Sequence, residues 1–319
     1  MRIQIPLFAA GFVLIILLGV VFVTQHIDAS PVVTMAADRS VVYGIVEAVP
    51  EPPEMMPGEL EVRALAASYP TRITNIEIRN DQWALKMDGR WYYWAHGRLL
   101  PEELLEDWEL YTGIRFYRYS LGPFELTELP PETIARLQNQ DPAQTVDTRI
   151  RFNDFLDTLY EINSQRTAVN KMVRTRIFGL PVQVHPFLVE PIARVNRRVG
   201  QLAKADPAIH EFLLSLTQAH GYNWRNIANT LRRSYHSYGA AIDLLPRTYQ
   251  RRQVYWLWAA QSGIEEWWNL PIEARWVVPD PIIEAFEAEG FIWGGKWLSF
   301  DNIHFEYRPE VIYISRANQ

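Results

Sequence analysis

The chain has 319 residues, 13% of them aromatic with 12 tryptophans, no cysteine, and a formal net charge of -6 without a basic block. That length accommodates about two domains of roughly 150 residues and a sizeable core, and the mixed charges exclude a nucleic-acid-binding surface. Without cysteine there are no disulfides and no thiolate ligands, so any zinc site must be built from histidine and carboxylate.

Residues 5–23 are apolar and uncharged. As a helix they reach about 28 Å, close to the hydrocarbon thickness of a bilayer. Arg2 precedes the run, which keeps the start cytoplasmic and exports the rest. The run exceeds the apolar core of about 7–15 residues found in a cleaved signal, and small-residue cleavage sites are poor. The expectation is a signal anchor over 1–25, with the lipid bilayer as a partner and a single-pass protein facing the extracytoplasmic, periplasmic side. A secreted form starting near Pro31 or Ala37 is the alternative. Residues 26–58 read as a tether because Pro50, Pro52, Pro53 and Pro57 interleave with glutamates; Val41 to Val49 could add a strand.

Residues 59–129 form a small β-rich accessory module. Ile73 to Ile78 alternates like a strand, and Trp83 to Met87, Asp88-Gly89 and Arg90 to Ala95 read as a hairpin with a type I′ turn. Pro101 to Tyr111 reads as a short helix and Ile114 to Ser120 as a strand. Trp91, Tyr92, Tyr93 and Trp94 alternate faces, leaving one face to pack on the rest of the protein or to bind glycan. Residues 130–319 supply a helical lead-in and a catalytic domain. The expected helices are Pro130 to Gln140, Thr148 to Arg176, Pro191 to Ala203, Pro207 to Ala219, Tyr255 to Gly263 and Pro281 to Glu289, with a strand at Val182 to His185. His185-Pro186 reads as structural, and His26, His96, His210 and His220 carry no partner pattern.

Two runs concentrate chemistry: Ser234-Tyr-His236-Ser-Tyr-Gly239-Ala-Ala241-Ile-Asp243 and Asp301-Asn-Ile-His304-Phe305-Glu306. They offer two imidazoles and a carboxylate for a zinc ion, plus a spare carboxylate beside it. If the first run is extended, Ser234 and His236 share a face; Gly239 then permits a turn or close approach. His304 and Glu306 share a strand face, with Phe305 in the core and Asp301 at the rim.

Ser234-x-His236-x-x-Gly239-x-Ala241-x-Asp243 resembles the first zinc motif of the VanY-type D-alanyl-D-alanine carboxypeptidase family, which also contains L-alanyl-D-glutamate endopeptidases. Gly290-Phe-Ile-Trp293-Gly-Gly-Lys-Trp297, followed by Asp301-x-x-His304-Phe-Glu306, is similar to its second motif, and Gly221 to Ile227 is more loosely similar to a segment carrying a substrate-binding arginine. The resemblance covers about Val182 to Glu310. It implies one zinc ion on His236, Asp243 and His304, with Asp301 as general base and Arg225 either stabilising the oxyanion or holding a substrate carboxylate. Many carboxypeptidase members carry Glu where this chain has Asp301, so the bond cleaved stays open between the two branches. Ser234 is expected to bind the substrate backbone, and Trp293 and Trp297 to wall the cleft. Glu306 competes with Asp301 for the base role, or else supports a ligand histidine.

The expectation is therefore an α+β fold. A small antiparallel sheet with flanking helices carries the zinc site, preceded by the β module and the transmembrane helix. The activity implied is zinc-dependent hydrolysis of peptidoglycan stem peptides through an activated water. The alternative is a catalytically silent cell-wall-binding or scaffold protein on the same fold.

Overall fold

The computed structural model describes residues 56–125, 128–139, 150–228 and 230–317, all within a unit spanning Pro53–Gln319. The membrane helix expected over residues 5–23 and most of the tether, with its Val41 to Val49 strand, lie outside the described residues. Among the described residues no helix is long and apolar enough to cross a membrane. The expected fold is corrected accordingly: the described residues are α+β without a membrane-spanning helix, and nothing in them supports the single-pass, periplasm-facing placement.

The chain enters through α1 (Glu59–Ser68) and then forms a meander of β1 (Ile73–Arg79), β2 (Gln82–Met87), β3 (Arg90–Ala95) and β4 (Arg98–Leu100). Its turns are the residue pairs Asn80-Asp81, Asp88-Gly89 and His96-Gly97, all with positive φ, the geometry that matches strand twist in two-residue hairpins. In the aromatic run on β3, Tyr92 and Tyr93 are buried, while Trp91 and Trp94 are half-buried and Trp91 lies beneath Arg79 and Lys86. The ring of Tyr92 meets Phe155 edge-on at 5.5 Å, and its hydroxyl bonds Asp154 and Thr158 at 3.0 and 2.8 Å.

The expected helix at Pro101 to Tyr111 is instead two single 3-10 turns, Glu102–Leu104 and Trp108–Leu110, followed by β5 (Tyr111–Thr112). Ile114 to Ser120 forms no strand ladder but an extended strap. Arg308 bonds the Arg115 carbonyl, Trp297 bonds Tyr117, and the Tyr119 hydroxyl lies between Glu287 and the Trp293 N–H. After α2 (Pro131–Gln138), the helix expected from Thr148 to Arg176 is divided into β6 (Ile150–Arg151), α3 (Asp154–Tyr160), α4 (Gln165–Lys171) and β7 (Val173–Ile177). Glu161 at φ 55 ends α3 in the left-handed conformation. Ser164 and Thr167 then start α4 with a reciprocal capping box.

β7 pairs with β8 (Leu180–Val184), and α5 (Val189–Ala205) and α6 (Pro207–Ser215) lead into β9 (Leu216–His220). The sheet that carries the site has the order β11-β12-β10-β9. It comprises β9, β10 (Ala241–Pro246), β11 (Phe291–Trp293) and β12 (His304–Tyr307), with α7 (Trp256–Gln261), α8 (Asp280–Ala288) and α9 (Pro309–Ala317) as the remaining helices among the described residues. Phe305 of β12 stacks on Phe286 of α8 at 4.0 Å and is fully buried, a contribution of about 2–3 kcal/mol for such a ring. One core joins the meander, α3 and this sheet.

His185 is a core group that sets an acid limit on the fold. Its Nε2–H donates to the Tyr160 carbonyl at 3.0 Å, and its Nδ1 accepts from the Phe187 N–H at 3.2 Å, so the site demands the neutral ring. Burial pushes its pKa down to about 4. The unfolded chain, with a histidine pKa near 6.5, binds more protons between those values, so stability falls as pH drops from about 6.5 toward 4, by up to about 3 kcal/mol. His185→Gln is expected to be less stable at pH 7 but to show a shallower loss between pH 7 and 4.5 in urea titrations. An unchanged pH slope would contradict this assignment.

Candidate metal centre

The first motif is not extended. Tyr235–Tyr238 forms a 3-10 turn capped by Ser234, whose Oγ accepts the His236 N–H at 3.3 Å. Gly239 ends the turn at φ 62, where a Cβ would fall 2.3 Å from Met172 Sδ and 2.6 Å from the His185 nitrogen. Only glycine satisfies both the handedness and the space. The chain then enters β10, which places Asp243 directly opposite His304 of β12. Directly paired residues share a sheet face, so register brings the carboxylate to the second imidazole while the turn delivers the first.

His236, Asp243 and His304 offer ligand atoms all within 4.8 Å of one another. His304 Nδ1 lies 2.8 Å and His236 Nε2 3.2 Å from Asp243 Oδ1, with the two nitrogens 3.2 Å apart. The other ring nitrogens are engaged behind the cluster. His236 Nδ1–H donates to the Gly221 carbonyl at 2.5 Å, and His304 Nε2 faces Glu306 Oε1 at 3.3 Å. Each imidazole is thereby oriented with a lone pair toward the shared point.

The electrostatics agree with a cation position. Burial opposes ionisation of Asp243, but His236 and His304 outweigh it and hold the carboxyl far below its usual range. Burial likewise opposes the charge on His304, yet bonds to Asp243 and Glu306 keep that ring well above the usual histidine range. Two nitrogens and one carboxylate oxygen, converging and buried, form a donor set that fits a divalent metal with further positions open. Among the described residues this is the metal-competent cluster found.

Asp301 sits beside the cluster and outside it. Its backbone N–H donates to the Gly294 carbonyl at 3.0 Å, and Asn302, fully buried, bonds the Val254 and Trp276 carbonyls. Burial pushes the Asp301 carboxyl up to about 6, and its Oδ1 has no hydrogen-bond partner. A buried, unpartnered carboxylate oxygen is a costly feature that a fold does not need for stability. For Glu306, the His304 contact and Arg308 outweigh burial and lower its pKa, which suits a support for the ligand ring.

Arg225 is exposed, but its segment is fastened to the His236 turn. Ser237 Oγ accepts the Arg225 N–H at 2.9 Å, and the Ser234 N–H donates to the Arg225 carbonyl at 3.0 Å. The Arg225 charge acts on Asp301 and Tyr255. Ser234 is buried in its capping role. The expected tryptophan walls separate. Trp293 is 1% exposed in the core with its Nε1–H on the Asn302 carbonyl, whereas the Trp297 ring lies 5.6 Å from the His304 ring.

Sequence reasoning missed the fastener Ser237 and also Tyr255, which forms a backbone bridge with Asp301. It missed as well the Tyr117 hydroxyl that accepts Trp297 Nε1–H at 2.7 Å. Ser-x-His-Ser was a visible signal for the first; no local signal announces the others.

Residues 228–307 match the family model described as D-alanyl-D-alanine carboxypeptidase. Residues 61–116 match one described as a domain of unknown function. No solved structure matches the chain. The first match spans all three ligand candidates and Asp301, and supports a peptidase of that family.

Proposed function

We propose that the protein is a zinc-dependent peptidase acting on peptidoglycan stem peptides, of D-alanyl-D-alanine carboxypeptidase or L-alanyl-D-glutamate endopeptidase type. The observation that carries this reading is the convergence of His236, Asp243 and His304 beside the unpartnered carboxylate of Asp301, inside the segment that matches the carboxypeptidase family. His236, Asp243 and His304 would hold one zinc ion, which when bound would supply Lewis acidity and lower the pKa of water toward about 7.

The protein's own groups account for the remaining steps. Asp301 takes the proton of the attacking water and passes it to the leaving amine, and a carboxyl raised to about 6 is suited to both transfers near neutral pH. Arg225, exposed at the mouth, meets either the developing oxyanion or a substrate carboxylate. Glu306 keeps the His304 ring turned toward the metal. Trp297 lies against that ring and shields one side.

The direct test is metal content with activity. Purified protein is expected to hold close to one zinc per chain and to hydrolyse a synthetic stem pentapeptide, with a chelator abolishing turnover and zinc restoring it. Hydrolysis indifferent to chelation after the metal is shown to be gone would sink the reading.

A further inference from the structure

A second feature lies on the same face of the sheet as the metal cluster. β9 pairs with β10 so that His220 stands directly opposite Asp243, one strand further from His304. Paired residues project to one face, so the metal centre and the cleft beginning at His220 are neighbours. This cleft has a volume of about 500 Å³ and is bounded by the β7–β8 hairpin on one side and residues 219–223 on the other. That volume lies in the range of small-ligand sites.

The lining is mixed: Pro181, Val182 and Ala219 give it an apolar floor, and Arg174 is its one charged side chain. Arg174 of β7 reaches it, with His220, Gln183, Tyr222 and Asn223, and no acidic side chain lines it. The Arg174 guanidinium and the Asn223 amide have no side-chain partner among the described residues. The Tyr222 hydroxyl also lacks a hydrogen-bond partner, but it is itself covered and so is not offered to the cleft. The Gly221 carbonyl orients His236, and Gly221 itself is pressed against β8, where a Cβ would fall 2.1 Å from the Gln183 carbonyl. The segment that holds the ligand ring is therefore the same one that forms the cleft wall.

We infer that this cleft is a specificity subsite that binds a free carboxylate of an acidic peptide substrate, with Arg174 as its charged contact and the Asn223 amide as a neutral donor. The inference rests on the peptidase reading for the identity of the substrate, but not for the chemistry of the cleft. A planar guanidinium binds a carboxylate through two parallel hydrogen bonds, and such a contact is lost when the carboxylate becomes a carboxamide.

The test uses the metal-loaded full chain and two synthetic stem peptides that differ in one internal carboxylate, free in one and amidated in the other. The wild type is expected to favour the acidic peptide by about tenfold or more in kcat/KM, the range of a charge-assisted hydrogen bond. Arg174→Gln, at an exposed strand position, should lose that preference while keeping its kcat/KM on the amidated peptide. The same comparison by calorimetric binding, in an Asp301→Asn background, separates the two ideas. Arg174-dependent binding without turnover by the wild type would sink the peptidase reading and keep the cleft. Turnover with the same preference in Arg174→Gln, or equal loss on both peptides, would overturn the cleft.

Discussion

Alanine at His236, Asp243 or His304 is expected to remove metal and activity together. Each of the three supplies one ligand atom to a cluster no wider than 4.8 Å, and the two that remain hold a divalent ion poorly. Each loss also leaves a buried partner uncompensated. Without Asp243, two imidazole nitrogens face each other at 3.2 Å with no carboxylate between them. Because bound metal stabilises the folded form, wild-type protein should melt at a higher temperature with zinc than after chelation, and the three variants should lose most of that increment. Elemental analysis and thermal melts read both effects. A variant that kept full zinc but lost activity would move that residue out of the ligand set.

Asp301→Asn is expected to behave differently, because the ligand set is untouched. The variant should retain wild-type zinc content and lose on the order of 100- to 10,000-fold in turnover, the usual contribution of a positioned acid or base. Glu306→Gln is the contrast. Its carboxylate is spent on the His304 ring and on Arg308, so its loss should weaken metal affinity by roughly 10- to 100-fold and leave turnover largely intact at saturating zinc. The reverse pattern, with a dead Glu306→Gln that keeps zinc and an active Asp301→Asn, would exchange the two roles.

The parts of the site legible in the sequence were those governed by local geometry. The alternation of His304, Phe305 and Glu306 follows from the two-residue period of a strand, and the structure places Phe305 in the core with His304 and Glu306 together. The Asp88-Gly89 turn announced its hairpin for the same reason. Ser234 was misplaced because serine before a short run suits both an extended strand and a helical cap; here it caps a 3-10 turn, and its hydroxyl is used there. Trp293 and Trp297 flank two glycines whose turn sends one ring inward and the other onto His304. A Cβ on Gly295 would fall 2.2 Å from the Trp293 ring, a contact that no pattern of spacing reveals.

Longer-range features were illegible for a different reason. The apolar spacing from Thr148 to Arg176 fits one helix, yet a left-handed Glu161 and the Ser164 cap divide it. The hairpin after it turns through Phe178 at φ 51, an unusual residue for that conformation, held by a bond from its N–H to Asn196 Oδ1. Ile114 to Ser120 looked like a strand, but the partners of this stretch are side chains some 170–200 positions away. His220 showed no pattern at all; its relevance comes from the register that sets it opposite Asp243, and register between distant strands is not written in either strand alone.

The most direct measurement is digestion of purified peptidoglycan sacculi by the metal-loaded protein, with the released termini identified by mass spectrometry. The account predicts new stem-peptide termini, either loss of a terminal D-alanine or cleavage between L-alanine and D-glutamate, in the wild-type digest and their near absence with Asp301→Asn. Unchanged stem peptides after digestion by wild-type protein shown to carry zinc would contradict it.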